Sequence, residues 1–533
     1  MTMNRREFLA AAGAGITLTA LPLGFASAAA AQNGPRSLVC IFLEGGADSA
    51  SMYVPLNNAV AGRTYGDYTA ARGDFALARS NITPVGNGDF GMNDMLPGIT
   101  ALANAGRAAV IRNVGPLERP TTRADYLAEL SLPQTLFAHD AQQRLWQTGR
   151  SSLAYSQGWG GAISAAVNAG AEVAPSFSIN GSNVWSTSQT APYTRLSATV
   201  PVRPLRGFET RGVTEVLQFA LDAAANSPSE LERTLSESLG HVIVTTRELQ
   251  AATADTPEND VGITGVGGLR LGEQLEQVAR LILNRDALNM PRQLFFVRMS
   301  GWDTHGDQDT RFPVLLNELD RSITAFQGAL DGMGVSDSVV TFTASDFGRT
   351  LTSNGDGTDH GWGGHAFVFG DAVTSGHFGV MPDFSLTDNA DDTGDRNGNF
   401  GGRWIPTTSV TQYGATFARW MGLSENQIDV AFPELINFAT RDLGFLGAAA
   451  PPGAGPGTVA NAGNVNCDGA VNRTDARAVL EYLVGMRTDG GACPAPQSMA
   501  TLDVSASDMD GDGRTTLLDV VRILRNPAVR GSD

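Results

Sequence analysis

The chain has 533 residues and a formal net charge of −18, and its positive charge is entirely arginine because the sequence contains no lysine. Schiff-base catalysis and a phosphate-binding P-loop both need a lysine, so both are excluded. An acidic chain also argues against nucleic acid as a partner, because phosphate binding requires grouped basic side chains. At this length we expect one large domain and a small additional module.

Residues 1–31 have the pattern of an export signal. Arg5 and Arg6 precede a modest apolar stretch that Pro22 interrupts, and small residues follow at 26–28. The pattern resembles a twin-arginine signal with a cleavage site, and the alternative is an ordinary amphipathic start. The apolar stretch is too short for a membrane span. We therefore expect a periplasmic or extracellular mature protein without a membrane span.

Apolar runs predict two strands in the first part of the main domain. The run at 37–49 closes on an acid, two glycines and Asp48, and the glycines permit a tight turn or a close approach of the backbone. The run at 108–115 predicts another buried strand. After it, Thr121 or Thr122 either caps the following helix or acts as a hydroxyl nucleophile at its amino end.

A strand–helix–strand unit follows later in the chain. Residues 293–299 and 338–344 are short apolar runs that predict buried strands, and 311–330 has apolar residues at helical spacing. Asp303 follows the first of these strands and Asp346 follows the second. Ligands bind at the carboxyl ends of the strands in open α/β sheets, so we expect both carboxylates at that edge.

Three of the six histidines lie close together in this region, each near a carboxylate. These segments offer nitrogen and oxygen ligands of the kind that zinc, manganese or iron accepts. The candidate metal ligands are Asp303, His305, Asp346, Asp359, His360 and His365. The plainer interpretation is a set of solvated loop acids and hydrogen-bonded histidines.

Six motifs occur in order between residues 36 and 446: LVCIFLEGGAD, LFAHDAQQRLWQTG, GWGG, WDTHGDQ, SDFGRT and GTDHGWGGHAFVFG. Together they resemble the domain of unknown function 1501 family of exported bacterial proteins. That family is similar in turn to the alkaline phosphatase and sulfatase superfamily. The resemblance implies an alkaline-phosphatase-like α/β/α sandwich that binds zinc or another divalent transition metal and hydrolyses phosphate or sulfate esters.

The resemblance also implies roles for particular residues. It adds an early acid to the metal ligands, which is Asp48 or Glu44 on this chain. The family commonly has serine where this chain has Ala138. The catalytic candidates are Thr121, Thr122 and His139. The alternative function is a non-catalytic secreted or surface-assembly component that keeps the fold.

A Gly/Pro/Ala linker at 447–461 separates a tail at 462–527 that contains two twelve-residue segments with the spacing of a calcium loop. Oxygen-bearing side chains stand at positions one, three, five, nine and twelve, and glycine stands at position six. The calcium ligands are Asn464, Asn466, Asp468, Asn472 and Asp475 in the first loop, and Asp508, Asp510, Asp512, Thr516 and Asp519 in the second. An amphipathic helix follows each loop, so we expect a small all-α calcium-binding domain.

The tail also holds two cysteines, Cys467 and Cys493, which as an even pair in an exported module suggest a disulfide, the alternative being free thiols. The duplicated loop–helix plan with aspartate at position twelve resembles a type I dockerin. The resemblance implies a cohesin-like or cell-surface partner and a connection with polysaccharide breakdown.

We predict that the tail binds Ca²⁺ and needs it to fold. A module this small usually depends on a metal ion or a disulfide, and the free energy of binding then becomes free energy of folding. Circular dichroism of the oxidised tail, titrated with Ca²⁺ after chelation, should show a gain of helical signal that Asp508→Ala weakens. A helical signal that neither chelator nor Asp508→Ala changes would contradict this prediction.

Overall fold

The computed structural model describes most of the main domain. It covers residues 34–167, 175–179, 181–199, 213–253, 256, 261–386, 391–394 and 401–447, with two short strands at 488–489 and 501–502. The described elements belong to the unit that begins at Pro35. The predicted export signal, the calcium ligands and the predicted Cys467–Cys493 disulfide lie outside the described residues and stay predictions.

The described residues contain sixteen strands, four of which were predicted from the apolar runs. In chain order they are β1 (Arg36–Glu44), β2 (Tyr53–Pro55), β3 (Ile82–Val85), β4 (Phe90–Asn93), β5 (Ala108–Gly115), β6 (Ser176–Ile179), β7 (Thr194–Leu196), β8 (Arg292–Ser300), β9 (Val339–Ser345), β10 (Arg349–Ser353), β11 (Thr358–His360), β12 (Gly364–Phe369), β13 (Gly376–Phe378), β14 (Thr408–Ser409), β15 (Thr488–Asp489) and β16 (Thr501–Leu502). The four strands predicted above correspond to β1, β5, β8 and β9.

The described helices lie between or after these strands in the sequence. They are α1 (Tyr65–Arg72), α2 (Pro97–Asn104), α3 (Arg123–Leu127), α4 (His139–Thr148), α5 (Trp159–Val167), α6 (Val213–Ala225), α7 (Glu230–Thr253), α8 (Arg270–Leu283), α9 (Gln308–Gly332), α10 (Val410–Met421) and α11 (Glu425–Ala431). The helix predicted at 311–330 is α9. Within the described part of the chain, none of these helices combines the length and the apolar character that crossing a membrane requires.

One large sheet organises the domain. Its strand order is β13-β5-β12-β9-β1-β8-β6-β7, with β14 beside β5. The central strand β1 pairs in parallel with β8 and with β9, whereas β12 is antiparallel to both of its neighbours. A nearly continuous apolar run, such as that of β1, suits a parallel strand that is covered on both faces. The prediction of a mixed α/β main domain is confirmed.

The two faces of the sheet belong to two different hydrophobic cores. Val39 and Ile41 of β1 belong to one core, which also contains buried residues of α2, α8 and α9. Leu38 and Cys40 point to the opposite face, into a core with residues of α4, α5 and α10. Successive side chains of a strand alternate between faces, so β1 contributes to both cores. The helices therefore cover the sheet on both sides.

The ends of β1 and β8 come into close contact. A Cβ atom added to Gly45 would lie 2.4 Å from the backbone nitrogen of Asp303, and Gly45 has a φ of +122°. Only glycine meets both conditions without strain. The close backbone approach that the sequence suggested at this position is observed, and it brings the end of β1 against the loop that follows β8.

Candidate metal centre

The carboxyl ends of three neighbouring strands meet at one edge of the sheet. β1 pairs with β8 as far as Glu44 and Ser300, and β9 lies on the other side of β1. The segments that follow β8 and β9 carry Asp303 and Asp346 to this edge. Their common location agrees with the prediction from the strand–helix–strand unit.

The hairpin of β10 and β11 brings further candidate ligands to the same edge. The backbone N–H of Thr358 donates to the carbonyl oxygen of Thr304 over 3.1 Å. A Cβ atom on Gly357 would lie 2.1 Å from that oxygen, so glycine permits this contact. Asp359 and His360, which follow Thr358 in β11, therefore lie beside the loop that follows β8.

One carboxylate oxygen of Asp303 lies at the middle of a group of histidines. His305 Nδ1 is 2.7 Å from Asp303 Oδ1. His139 Nε2 and His360 Nε2 are each 3.5 Å from the same oxygen. Ligand atoms of His139, Asp303 and His360 all lie within 4.8 Å of one another, as a shared metal ion requires. These four residues, His139, Asp303, His305 and His360, are called the Asp303 cluster.

Hydrogen bonds on the far side of two rings decide which nitrogen faces Asp303. His360 Nδ1 lies 2.7 Å from the carbonyl oxygen of Phe137. His139 Nδ1 lies 2.7 Å from the carboxylate of Asp346. Both partners accept hydrogen bonds, so each Nδ1 carries a hydrogen and donates it. In the neutral rings, each Nε2 then presents a lone pair toward Asp303, which is the usual arrangement of metal-binding histidines.

Local charges favour a cation within the cluster. The hydrogen bond to Asp346 raises the pKa of His139 above its ordinary value, although burial opposes this shift. Burial acts to raise the pKa of Asp303, but the hydrogen bond and charge of Arg349 outweigh it and hold that pKa below its ordinary value. Burial lowers the pKa of His360, whose Nε2 is covered and has no hydrogen-bond partner among the described residues.

A buried arginine ties the segments of the site together. The Arg349 side chain is fully buried and donates to the Asp303 carboxylate. It also donates to the backbone carbonyl oxygens of Gly45 over 2.8 Å, Trp302 over 3.0 Å and Thr358 over 2.9 Å. One guanidinium therefore joins the ends of β1 and β8 to the β10–β11 hairpin.

Two predicted metal ligands, Asp346 and Asp359, contact histidines of the Asp303 cluster but are not part of it. The Asp346 side chain is fully buried, and its Oδ2 accepts hydrogen bonds from His139 and, over 3.0 Å, from Gln143 Nε2. Asp359 Oδ1 lies 3.8 Å from His305 Nε2. Both carboxylates therefore face a cluster histidine and stand outside the group of three mutually close ligand atoms.

The two candidate early acids have other partners. Asp48 is fully buried, forms an ion pair with the buried Arg72, and accepts a hydrogen bond from Gln308 Nε2 over 2.7 Å. Glu44, at the end of β1, accepts a hydrogen bond from the hydroxyl of Ser300. No described contact brings either acid into the Asp303 cluster.

His365 is buried in a separate environment. The backbone N–H of Asn113 donates to His365 Nδ1 over 3.2 Å, and the ring packs against Tyr53 and Trp404 with centroid distances of 5.6 and 5.2 Å. Burial, with a smaller contribution from the charge of Arg112, lowers the pKa of His365 to about 3. The described contacts of this neutral histidine do not include the Asp303 cluster.

The two hydroxyl candidates make local hydrogen bonds. Thr122 is the N-cap of α3, and its Oγ1 accepts from the Asp125 backbone N–H over 3.1 Å and donates to the Asp125 carboxylate over 2.6 Å. Thr121 Oγ1 donates to the carbonyl oxygen of Arg119 over 3.0 Å. Of the two roles considered for Thr122, capping is the one observed. The N-cap of α4 is Ala138, which has no side-chain hydroxyl.

Sequence reasoning did not include His139 among the metal ligands and did not identify Arg349. His139 is the first residue of α4, and Gln143 lies four residues later on the same face. The signal available in the sequence was a histidine and a glutamine four residues apart at the start of a helix. In the structure, both side chains donate hydrogen bonds to Asp346. For Arg349 the sequence offers only its place in SDFGRT, because most of its partners are backbone carbonyls.

The fold and the site together define a mixed α/β protein with a candidate metal centre at the carboxyl edge of its parallel strands. The family model described as "Protein of unknown function (DUF1501)" matches residues 35–397, which is more than half of the chain, so the chain belongs to that family. The model described as "Dockerin type I domain" matches residues 462–526. Both resemblances recognised in the sequence are confirmed.

Solved structures provide further similarities. The crystal structure of Ps i-CgsB is 11% identical and covers 74% of each chain at a TM-score of 0.31. The C-terminal periplasmic domain of EcEptC from Escherichia coli in complex with Zn is 10% identical, covers 74% of this chain and 84% of that one, and has a TM-score of 0.30. The PsFucS1 sulfatase from Pseudoalteromonas sp. is 9% identical, covers 76% and 73%, and has a TM-score of 0.30. A search of curated proteins found no match.

We predict that Arg349→Lys lowers the free energy of unfolding by about 3 kcal/mol or more, because lysine keeps the charge but cannot reach several fixed carbonyls, and each charge-assisted bond is worth about 1.5–3 kcal/mol. The matched control is Arg311→Lys. Arg311 also donates to backbone carbonyls of this loop, those of Gly301 and Asp303, but it is exposed. Its replacement should cost no more than about 0.5 kcal/mol. Equal losses of unfolding free energy for the two variants, measured by urea unfolding, would show that Arg349 does not hold these segments together.

Proposed function

We propose that this protein is an exported, metal-dependent hydrolase of phosphate or sulfate esters that is attached to a partner through its calcium-binding tail. The observation that carries the proposal is the orientation of His139 and His360. Each ring donates its Nδ1 hydrogen to a fixed acceptor, and each Nε2 lone pair faces the same oxygen of Asp303.

The donor set fits a divalent transition metal. Two neutral imidazole nitrogens and one carboxylate oxygen are ligands that zinc and similar ions accept. Without a metal ion, the lone pair of the neutral His360 Nε2 and the Asp303 oxygen, 3.5 Å apart, repel one another, whereas protonation of His139 relieves the same contact there. The covered and unpartnered Nε2 of His360 supports the same conclusion, because a buried acceptor normally has a partner. His305, in contact with Asp303, is an additional candidate ligand.

The surroundings suit an ester substrate that comes from solvent. About 44% of the Asp303 side chain is exposed, so the cluster is open on one side. A metal held there would act as a Lewis acid that polarises an ester oxygen. The chain's own residues contribute positioning: Arg349 fixes Asp303, and Asp346 and the Phe137 carbonyl fix the two rings. The choice of phosphate or sulfate esters rests on the resemblance of the motifs to the phosphatase and sulfatase superfamily.

One observation favours the non-catalytic alternative. Ala138 occupies the N-cap of α4, directly before His139, where the family commonly has serine. If that hydroxyl is the nucleophile in relatives, this chain has lost it, and Thr121 and Thr122 are bound to local partners instead. A protein of this kind would keep the fold and the metal centre and serve as a secreted or surface-assembly component.

The match of the tail to a dockerin model supports the docking part of the proposal. Residues 462–526 would bind a cohesin-like or cell-surface partner, with Ca²⁺ holding the two loops. Export by the twin-arginine route would deliver the folded, metal-loaded domain to the periplasm or beyond. A role in polysaccharide breakdown would follow if the partner carries enzymes of that kind.

We predict that the purified protein contains about one transition-metal ion per chain and that His139→Ala or His360→Ala removes most of it, because each deletes one of three convergent ligands. Elemental analysis of the wild type and the variants measures this. The matched control is His241→Ala in the helix α7, which lies in another part of the domain and should leave the metal content unchanged. Equal and near-zero metal in all samples would disprove the metal centre.

Turnover decides between the two functions. An aryl phosphate or an aryl sulfate should be hydrolysed by the wild type, and Asp303→Ala should abolish hydrolysis while Arg311→Lys leaves most of it. Release of the aryl group, followed by absorbance, is the measurement. A protein that binds metal but hydrolyses no member of a broad ester panel would favour the non-catalytic component.

A further inference from the structure

A cavity of about 480 Å³ lies at the end of α4 opposite to His139. Thr148, the last residue of α4, lines it, together with residues of α5 and α11. Ten helical residues rise by about 1.5 Å each, so this cavity and the Asp303 cluster are about 14 Å apart along the helix. Its volume is within the range of about 300–1,000 Å³ that is usual for small-molecule sites.

The GWGG motif builds one wall of this cavity. Gly158 N–H donates to the carbonyl oxygen of Thr187 over 3.0 Å, and Gly161 N–H donates to that of Trp185 over 2.8 Å. Cβ atoms at these glycines would lie 2.1 Å from Val184 O and 2.0 Å from Thr187 O, so no larger residue fits. The segment after Thr187 is thereby held against α5, and its residues at 189 and 190 reach the cavity.

Arg150 places a cation in the lining. Its guanidinium donates no hydrogen bond to any described residue, and its Nε and Nη1 are covered. The group lies over the ring of Tyr155 at 4.9 Å from the centroid. A covered donor without an acceptor is uncommon and costs free energy. Nη2 is not covered in this way, so it is the guanidinium nitrogen that a ligand in the cavity can reach.

The acidic group that acts on this cation forms no ion pair with it among the described residues. Glu434 acts on Arg150 through its charge, but its Oε1 accepts from the backbone N–H and the hydroxyl of Ser151, over 3.1 and 2.9 Å. No ion pair joins Arg150 to Glu434 among the described residues. Burial lowers the pKa of Arg150 and raises that of Glu434, and the attraction between their charges opposes both shifts without reversing them. An anion on the open side of the guanidinium would offset this cost.

The rest of the lining is neutral, and part of it is capable of hydrogen bonding. Gln157, Gln189 and the hydroxyl of Thr190 line the cavity, and these side-chain groups have no hydrogen-bond partner in the described part of the chain. Amides and hydroxyls both donate and accept, so they match a ligand rich in hydroxyl groups. Apolar side chains, among them Ala162, Ala166 and Val430, form the larger part of the lining and would pack against the carbon atoms of such a ligand.

We propose that this cavity binds a small polyhydroxylated anion of the sugar-acid type, with its carboxylate on Arg150 and its hydroxyls on the neutral lining. The site is separate from the Asp303 cluster, so it stands whether or not the cluster binds metal or hydrolyses esters. It would let the protein recognise an acidic sugar unit at a distance from the reaction site.

Titration calorimetry of the full chain with glucuronate, glucose and inorganic sulfate tests the proposal. Glucuronate should bind saturably, and Arg150→Gln should weaken its binding about tenfold or more, as expected for the loss of a charge-assisted bond. Glucose and sulfate should each bind at least about tenfold more weakly than glucuronate. Glucose lacks the carboxylate that would contact Arg150, and sulfate lacks the hydroxyl groups that would contact the neutral lining. The matched control is Arg79→Gln, which removes an exposed arginine that also stacks on a tyrosine ring, 4.2 Å from its centroid, and should change nothing.

Three results would overturn the proposal: no saturable binding of glucuronate, equal binding of glucuronate by wild type and Arg150→Gln, or sulfate binding as tight as that of glucuronate. Circular dichroism establishes that each variant is folded. If Arg150→Gln does not fold, Gln189→Ala replaces it, because Gln189 is exposed at the mouth of the cavity and its loss should leave the fold intact. That variant should weaken glucuronate binding severalfold, and unchanged binding would again reject the site.

Discussion

The buried guanidinium of Arg349 is the interaction on which the candidate metal centre depends. It donates to carbonyl oxygens of Gly45, Trp302 and Thr358, which come from three segments that are far apart in the sequence. A guanidinium has five donors in fixed directions, so few arrangements of these segments satisfy it. Because the same group holds the carboxylate of Asp303, an interaction that organises the fold also orients the central ligand.

The orientation of the histidines is likewise set by the packing of the domain. Asp346 accepts from the backbone N–H of Gly45 and from Gln143 as well as from His139, which prevents its carboxylate from rotating. It follows the end of β9, and His139 stands at the start of α4, whose Trp146 packs in the core on the Leu38 and Cys40 face of the sheet. The direction of the His139 lone pair therefore depends on how α4 lies against the sheet.

Charge pairing explains why the structure groups only part of the predicted ligand set. Asp48 has the chemistry of a metal ligand, but the buried Arg72 neutralises it within the core. Asp303 also has an arginine partner, but about 44% of its side chain is exposed and nitrogens of three histidines face it. A carboxylate that is compensated and enclosed attracts a further cation weakly, whereas an exposed one beside imidazole nitrogens attracts a metal ion more strongly.

The sequence by itself determined the strands β1, β5, β8 and β9, the helix α9 and the presence of carboxylates and histidines at strand ends, because these depend on local apolar patterns and on the usual edge for ligands in α/β sheets. Asp303, His305 and His360 were predicted in this way and lie together. Only the tertiary structure decided that His139 joins them and that His365 does not. The physical reason is that the convergence of side chains depends on helix packing and on backbone carbonyls such as those bound by Arg349, and neither leaves a pattern in the residue types.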